Sequence, residues 1–284
     1  MSDLPVPATS LFLTRALNDL PGWTAYFAAA EIPVLEATAQ MLEAMRANED
    51  TVDANSLGEM IAGDPLMTLK VMAHASSSRS KPLATEPETV TAALVMMGIT
   101  PFFRDFGPQP TVEQRLVERP LALAGLGEAL RRAHRGANFA LAFAVHRMDH
   151  DAAVIHAAAL LHDFADMLLW CHAPDLALGI RQAQQAQPGL RSRTAQRTAL
   201  NVELPELRQS LMKTWRLPEL LRRISDDDHA EHPSVRTVAL ALRLARHSAA
   251  GWDNAALPDD ISEIAALLNL SSGATLKFVR GIED

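Results

Sequence analysis

The chain has 284 residues, 48% of them hydrophobic and 21% charged, with a formal net charge of −8. That length supports one large domain or two modest ones around a sizeable core, and the composition excludes a disordered chain. The acidic balance argues against broad binding to nucleic acid or to an anionic membrane, and a single cysteine, Cys171, excludes a disulfide framework and cysteine-rich zinc sites. The first residues lack a basic start and an apolar centre, and no uncharged apolar stretch approaches the ~20 residues that span a bilayer, so a cytoplasmic protein is expected.

Apolar residues recur at helical spacing nearly everywhere, and sustained two-residue alternation is missing, which predicts an all-α fold. In chain order, Leu35, Thr38, Met41, Leu42 and Met45 make one face of an early helix. Asp64-Pro65 starts the next, with the aspartate accepting from free amides and the proline fitting the first helical position. A helix over 89–97 should end at Gly98 in a left-handed conformation, and Thr100-Pro101 should open another. Gly-Pro-Gln-Pro at 107–110 marks a boundary between an N-terminal helical subdomain, 1–107, and a second one, 108–284. Thr111 then caps a short helix, Pro120 interrupts it, and a long helix runs through Arg147.

Asp151 is placed to cap one continuous helix over 151–170 that carries the adjacent pair His162-Asp163 near its end. Further helices are predicted at 174–186, 191–200, 204–215, 218–224, 233–249, 260–267 and 272–279. An imidazole next to a carboxylate can hold one divalent cation as neighbouring ligands, which makes this pair the candidate site. Met60, Met67, Met72, Met96 and Met97 are core filler by default, and their adaptability would also suit a protein-binding groove.

Four passages in order resemble the HDOD domains of bacterial signalling proteins, relatives of the HD and HD-GYP phosphohydrolases. They are Ile-Pro-Val-Leu at 32–35 followed by Asp-Pro-Leu at 64–66, the 89–98 helix ending in Gly, Leu-Leu-His-Asp at 160–163, and Trp-Arg-Leu-Pro at 215–218. The resemblance spans about residues 20–250 and implies an HDOD-like multi-helix architecture whose C-terminal part is a degenerate HD subdomain. It also implies where metal ligands would lie in an active relative. His134, 28 residues before His162, stands at the spacing of the first histidine, and His162-Asp163 is the dyad. The distant aspartate is expected at Leu242, whose aliphatic side chain cannot coordinate a hard cation. Glu203 stands one residue out of register with a second metal histidine, and the later histidine pair is approximated by Asp226, Asp227, Asp228 and His229, which could hold a cation weakly at the surface. The Gly-Tyr-Pro motif is absent, and Ala165 and Asp166 replace the usual glycine and lysine after the dyad.

The reading is therefore a non-catalytic regulatory module with a vestigial HD site formed by His134, His162, Asp163 and Leu242, holding no metal or other cofactor. It would act through signalling protein partners in a groove near 107–110, or by self-association, and not on nucleic acid or membrane. The alternatives are a metal-dependent phosphohydrolase of a nucleotide or cyclic dinucleotide, using His134, His162, Asp163 and an acid recruited from Asp166 or the 226–228 run, and a nucleotide sensor without turnover whose arginines hold phosphates.

Overall fold

A computed structural model describes residues 11–77, 86–229 and 231–282. The extreme N-terminal segment and the middle of the acidic loop at Ala230 lie outside the described residues. Among those described, the regular structure is helical, with a single isolated bridge between Val34 and Thr111.

Sequence-local chemistry sets most helix ends. In α1 (Leu20–Ala29) Asp19 accepts from Gly22 N at 2.9 Å, and in α3 (Ala54–Ala62) Asp53 accepts from Asn55 N and Ser56 N. Between them lies α2 (Glu36–Arg46), and α4 (Pro65–Ser77) follows. Gly98 ends α5 (Val90–Met97) with φ 83°, as a glycine permits, but its ψ of 152° lies outside the left-handed helical well. The chain there turns sharply and restarts at once in α6 (Ile99–Asp105), one residue earlier than Thr100. The 107–110 segment is tied to the N-terminal elements by hydrogen bonds. Val34 N donates to Pro110 O and Val112 N to Val34 O, both at 2.9 Å, and Lys70 Nζ bonds Gln109 Oε1 at 2.6 Å. These bonds stitch the crossing into the N-terminal helices, because backbone groups in a partly buried loop need partners.

After the short α7 (Val112–Arg115), the 27-residue α8 (Pro120–His146) is the axis of the C-terminal part. Its inner face is small and apolar (Ala129, Ala133, Gly136, Ala137, Ala140), which lets neighbouring helices approach closely. A β-carbon on Gly136 would come within 2.5 Å of Leu242 Cδ2, so α15 (Pro233–His247) lies against α8 at a contact that glycine makes possible. Arg135 reinforces it by donating to Ala245 O at 3.0 Å.

The predicted 151–170 helix is two helices, α9 (Ala152–Leu160) and α10 (Phe164–His172). Residues 161–163 form a turn tightened by i→i−3 bonds, His162 N to Ala159 O and Phe164 N to Leu161 O. Asp151 makes no side-chain cap; Asp149 Oδ1 accepts from Asp151 N instead. By length and composition 152–172 could cross a membrane, yet this break interrupts it and 61% of its most apolar window is buried inside the protein.

The remaining helices are α11 (Pro174–Ala186), α12 (Ser192–Leu200), α13 (Leu204–Thr214), α14 (Glu219–Ile224), α16 (Leu257–Leu268) and α17 (Ser272–Arg280). Asn201 and Asn269 end α12 and α16 in the left-handed conformation. The N-terminal helix α1 packs across onto α13: Trp23, fully buried, donates its indole N–H to Leu200 O at 2.8 Å, and Thr24 Oγ1 lies 2.8 Å from Ser210 Oγ.

Candidate functional site

The break between α9 and α10 puts His162 and Asp163 at the mouth of a cleft instead of along a helix face. His162 Nδ1 lies 2.9 Å from Asp163 Oδ1, so the two dyad side chains bond to each other. The second carboxylate oxygen of Asp163 accepts from Arg132 Nε at 3.3 Å, and Arg132 also reaches Asp166 at 3.6 Å. Burial opposes ionisation of Asp163, but the His162 hydrogen bond and the charges of His162, Arg132 and Arg246 outweigh it and hold its carboxyl far below the usual range. Asp166 has the opposite fate. Burial and the neighbouring Asp163 charge push it up to about 6, against the pull of Arg132 and a bond from Trp170.

The other side of His162 is held by a residue the motif does not include. Arg208, on α13, is only 3% exposed. Its Nη1 lies 2.9 Å from His162 Nε2 and donates to His162 O at 3.0 Å. Its Nη2 donates to Ser225 O at 2.8 Å and to Asp227 Oδ2 at 2.9 Å. Asp227 Oδ1 lies 3.1 Å from His162 Nε2. Burial works against the Asp227 carboxylate, yet the bonds and charges of His162 and Arg208 keep it well below the ordinary carboxylate range. With a neutral ring protonated on Nδ1, His162 donates to Asp163 and accepts from Arg208. With both nitrogens protonated it donates to Asp163 and Asp227 together.

The four surface-cation candidates do not form one surface site. Asp227 turns inward as described, while Asp226 pairs with His229 at 3.2 Å and accepts from Asp228 N at 3.2 Å. No hydrogen bond or ion pair among the described residues joins His134 to the dyad either. Burial lowers its pKa, and the neighbouring charge it feels is Asp64 from the N-terminal helices; it in turn depresses His156 on α9. On α8 it is Arg132, two residues earlier and hence on another side of the helix, that meets Asp163. Leu242, 6% exposed, packs on Gly136, and one turn further along α15 Arg246 extends its charge toward Asp163. Glu203 is a helix cap: it exchanges capping-box bonds with the start of α13 and accepts from Arg197 Nε at 2.6 Å.

These residues do not fit the divalent cation that the resemblance implies for active HD relatives. Both ring nitrogens of His162 and both oxygens of Asp163 are engaged by protein groups. A divalent ion at the dyad would also be repelled by Arg132 and Arg208, whose guanidinium groups already hydrogen-bond the atoms it would need. Among the described residues no group of three His, Cys, Asp or Glu side chains is arranged to hold a metal ion. The chemistry offered instead is anion recognition. The cleft, about 480 Å³, is lined by Arg132, Arg181, Arg193, Arg208 and Arg246 against Glu128, Asp163, Asp166 and Asp227, with Trp170, Ile180 and Leu204 as apolar wall. It is formally net positive in a chain of −8.

Sequence reasoning missed Arg208, although a signal was present. Leu204, Leu207 and Leu211 form the buried stripe of α13, and Arg208 stands in that stripe at helical spacing. A guanidinium on an apolar face demands buried acceptors, and so points to a polar site. Cys171, by contrast, is inert core: fully buried, its thiol is pushed up to about 12 by desolvation.

Comparison with known proteins agrees with the helical fold. The fold is similar to the MmoQ response regulator from Methylococcus capsulatus, with a TM-score of 0.65 at 17% identity over 88% of this chain and 98% of that one. It is also similar to a virulence factor from Campylobacter jejuni, with a TM-score of 0.61 at 17% identity over 92% and 97% of the two chains. No curated protein matches the sequence. The family profile of the HDOD domain matches residues 32–231, and on that match, which spans most of the chain and includes the dyad, the protein belongs to the HDOD family.

Proposed function

We propose that this HDOD protein is a non-catalytic signal-transduction module of the cytoplasm that acts through contacts with protein partners. One observation carries the reading: the donor atoms of His162 and Asp163 are taken by Arg132, Arg208 and Asp227, so guanidinium charge stands where a hydrolase needs a metal. Family membership supports a regulatory role, as does likeness to a protein described as a response regulator. Without a metal to lower the pKa of water or clamp a phosphate, the dyad serves as a structural polar pair at the joint of α9 and α10. Side chains available for partner contact include Val95 and Met96 on α5, 68% and 49% exposed, and Val145 and Met148 at the end of α8, 61% and 85% exposed. Of the methionines with core or groove potential, Met67 and Met72 are core, and Met96 faces outward.

The test is metal analysis of protein purified in the presence of manganese and iron, together with a phosphodiesterase assay on a chromogenic diester. Substoichiometric metal and no hydrolysis are expected. Stoichiometric metal accompanied by hydrolysis, both lost in His162→Ala, would overturn the reading.

A further inference from the structure

Asp227 is gripped as a bound oxyanion would be. Arg208 Nη2 holds one of its oxygens at 2.9 Å, and His162 Nε2 lies 3.1 Å from the other. The grip does not depend on Asp227 for its shape, because Arg208 is fixed from behind by the carbonyls of Ser225 and His162. Its Nε is buried with no acceptor, so the cationic group has unused donor capacity. The carboxylate, in contrast, arrives from outside the core. Asp227 opens a single 3₁₀ turn, Asp227–His229, whose residues are exposed. Further cations face the same cleft, and one of them, Arg246, is exposed and forms no ion pair within 4 Å among the described residues.

We propose that Asp227 is a built-in stand-in for a phosphoryl group, and that the cleft takes a small phosphomonoester whose terminal phosphate displaces Asp227 from Arg208 and His162. A monoester suits the site better than a carboxylate or a diester, because its dianionic terminus has enough oxygens for Arg208, His162 and Arg246 together. The cleft has the volume of a small-ligand pocket, about 480 Å³, and Trp170 and Ile180 offer an apolar surface to the rest of the molecule. Displacement releases the Asp227–His229 turn beside the start of α15, so ligand binding becomes a change at the protein surface. The inference rests on the non-catalytic reading, since a site that cleaved the ester would consume its own signal.

The experiment is calorimetric titration of the full-length protein with adenosine 5′-monophosphate, with inorganic phosphate and with adenosine. One equivalent of the monophosphate should bind, inorganic phosphate should compete for the same site, and adenosine should give no heat. Asp227→Asn, which weakens the internal competitor, should tighten binding about tenfold, and Arg246→Gln should weaken it about tenfold, each roughly 1.4 kcal/mol. Arg246 is exposed, so its variant keeps the fold, and matched melting curves verify that for both variants. No binding of either phosphate by wild type and Asp227→Asn would overturn the proposal, as would unchanged affinity in Arg246→Gln. Turnover of the monophosphate would instead sink the non-catalytic reading while leaving the binding site standing.

Discussion

Two aspartates, one buried and one partly exposed, in different halves of the molecule, show how differently a carboxylate can be kept. Asp64, fully buried, accepts from three backbone amides, those of Leu35 at 2.8 Å, Leu66 at 2.9 Å and Met67 at 3.1 Å, with Thr38 as a further partner. Among the described residues no cation pairs with it, and desolvation raises its pKa in spite of those bonds. Asp163 is held by side chains, the His162 ring, Arg132 and the nearby Arg246, and its pKa falls. Backbone amides cannot move or be titrated away, so Asp64 is part of the fold. Side chains can turn to water or be replaced singly, so the surroundings of Asp163 are adjustable in a way that those of Asp64 are not.

That contrast can be broken experimentally. The largest effect is expected from Asp64→Ala, which leaves buried amides without an acceptor and should cost about 3–5 kcal/mol, read as a fall in denaturation midpoint. Asp163→Ala should cost only about 1–2 kcal/mol, because Arg132 and Arg246 are partly exposed and can turn to water. Equal losses in the two variants would erase the distinction. Next, Leu242→Asp restores the carboxylate the HD pattern expects. It should destabilise the protein by about 2–3 kcal/mol through burial of a charge beside Gly136, and should not restore metal uptake, because the guanidiniums remain. Stoichiometric metal in that variant would show that the missing acid alone disabled the site.

The smallest effect concerns Asp166, whose folded pKa of about 6 lies above its unfolded value. Such a group favours the folded state fully below the unfolded pKa, and that contribution is lost as pH rises through the folded one. Asp166→Asn should therefore raise stability at pH 7 by about 1 kcal/mol after allowance for partial exposure, and flatten the stability profile between about pH 4 and 6. Melting curves across that range check it; a variant with an unchanged pH slope would refute the assignment. His172, fully embedded and pushed down to about 4 by burial and by Arg115, acts with opposite sign, its contribution being lost as pH falls from about 6.5 to 4. Measuring the slope as a difference between wild type and variant removes this shared background.

Much of the helical frame was legible because its signals are local. Pro65, Pro120, Pro174 and Pro233 begin helices where the fixed φ of proline predicts, and Thr89 and Thr111 accept from the amides that caps should satisfy. α1 and α3 went unread, since Trp23 and Phe27 find their meaning only against α13 and the neighbouring core. The break at Leu161 was also hidden: the run from Ala152 to His172 has helical composition throughout, and the turn that cuts it carries no glycine or proline.

By itself the sequence determined that the chain is helical, that His162 and Asp163 sit in an HDOD frame, and that an aliphatic residue stands where a balancing acid was expected. Tertiary structure alone decided what surrounds the dyad. Arg132, Arg208, Arg246 and Asp227 come from separate helices and a surface turn, so their meeting depends on packing and not on spacing along the chain. It also decided that Arg132 and not His134 bonds Asp163, because a helix turns each successive residue by about 100° and two residues suffice to change neighbours.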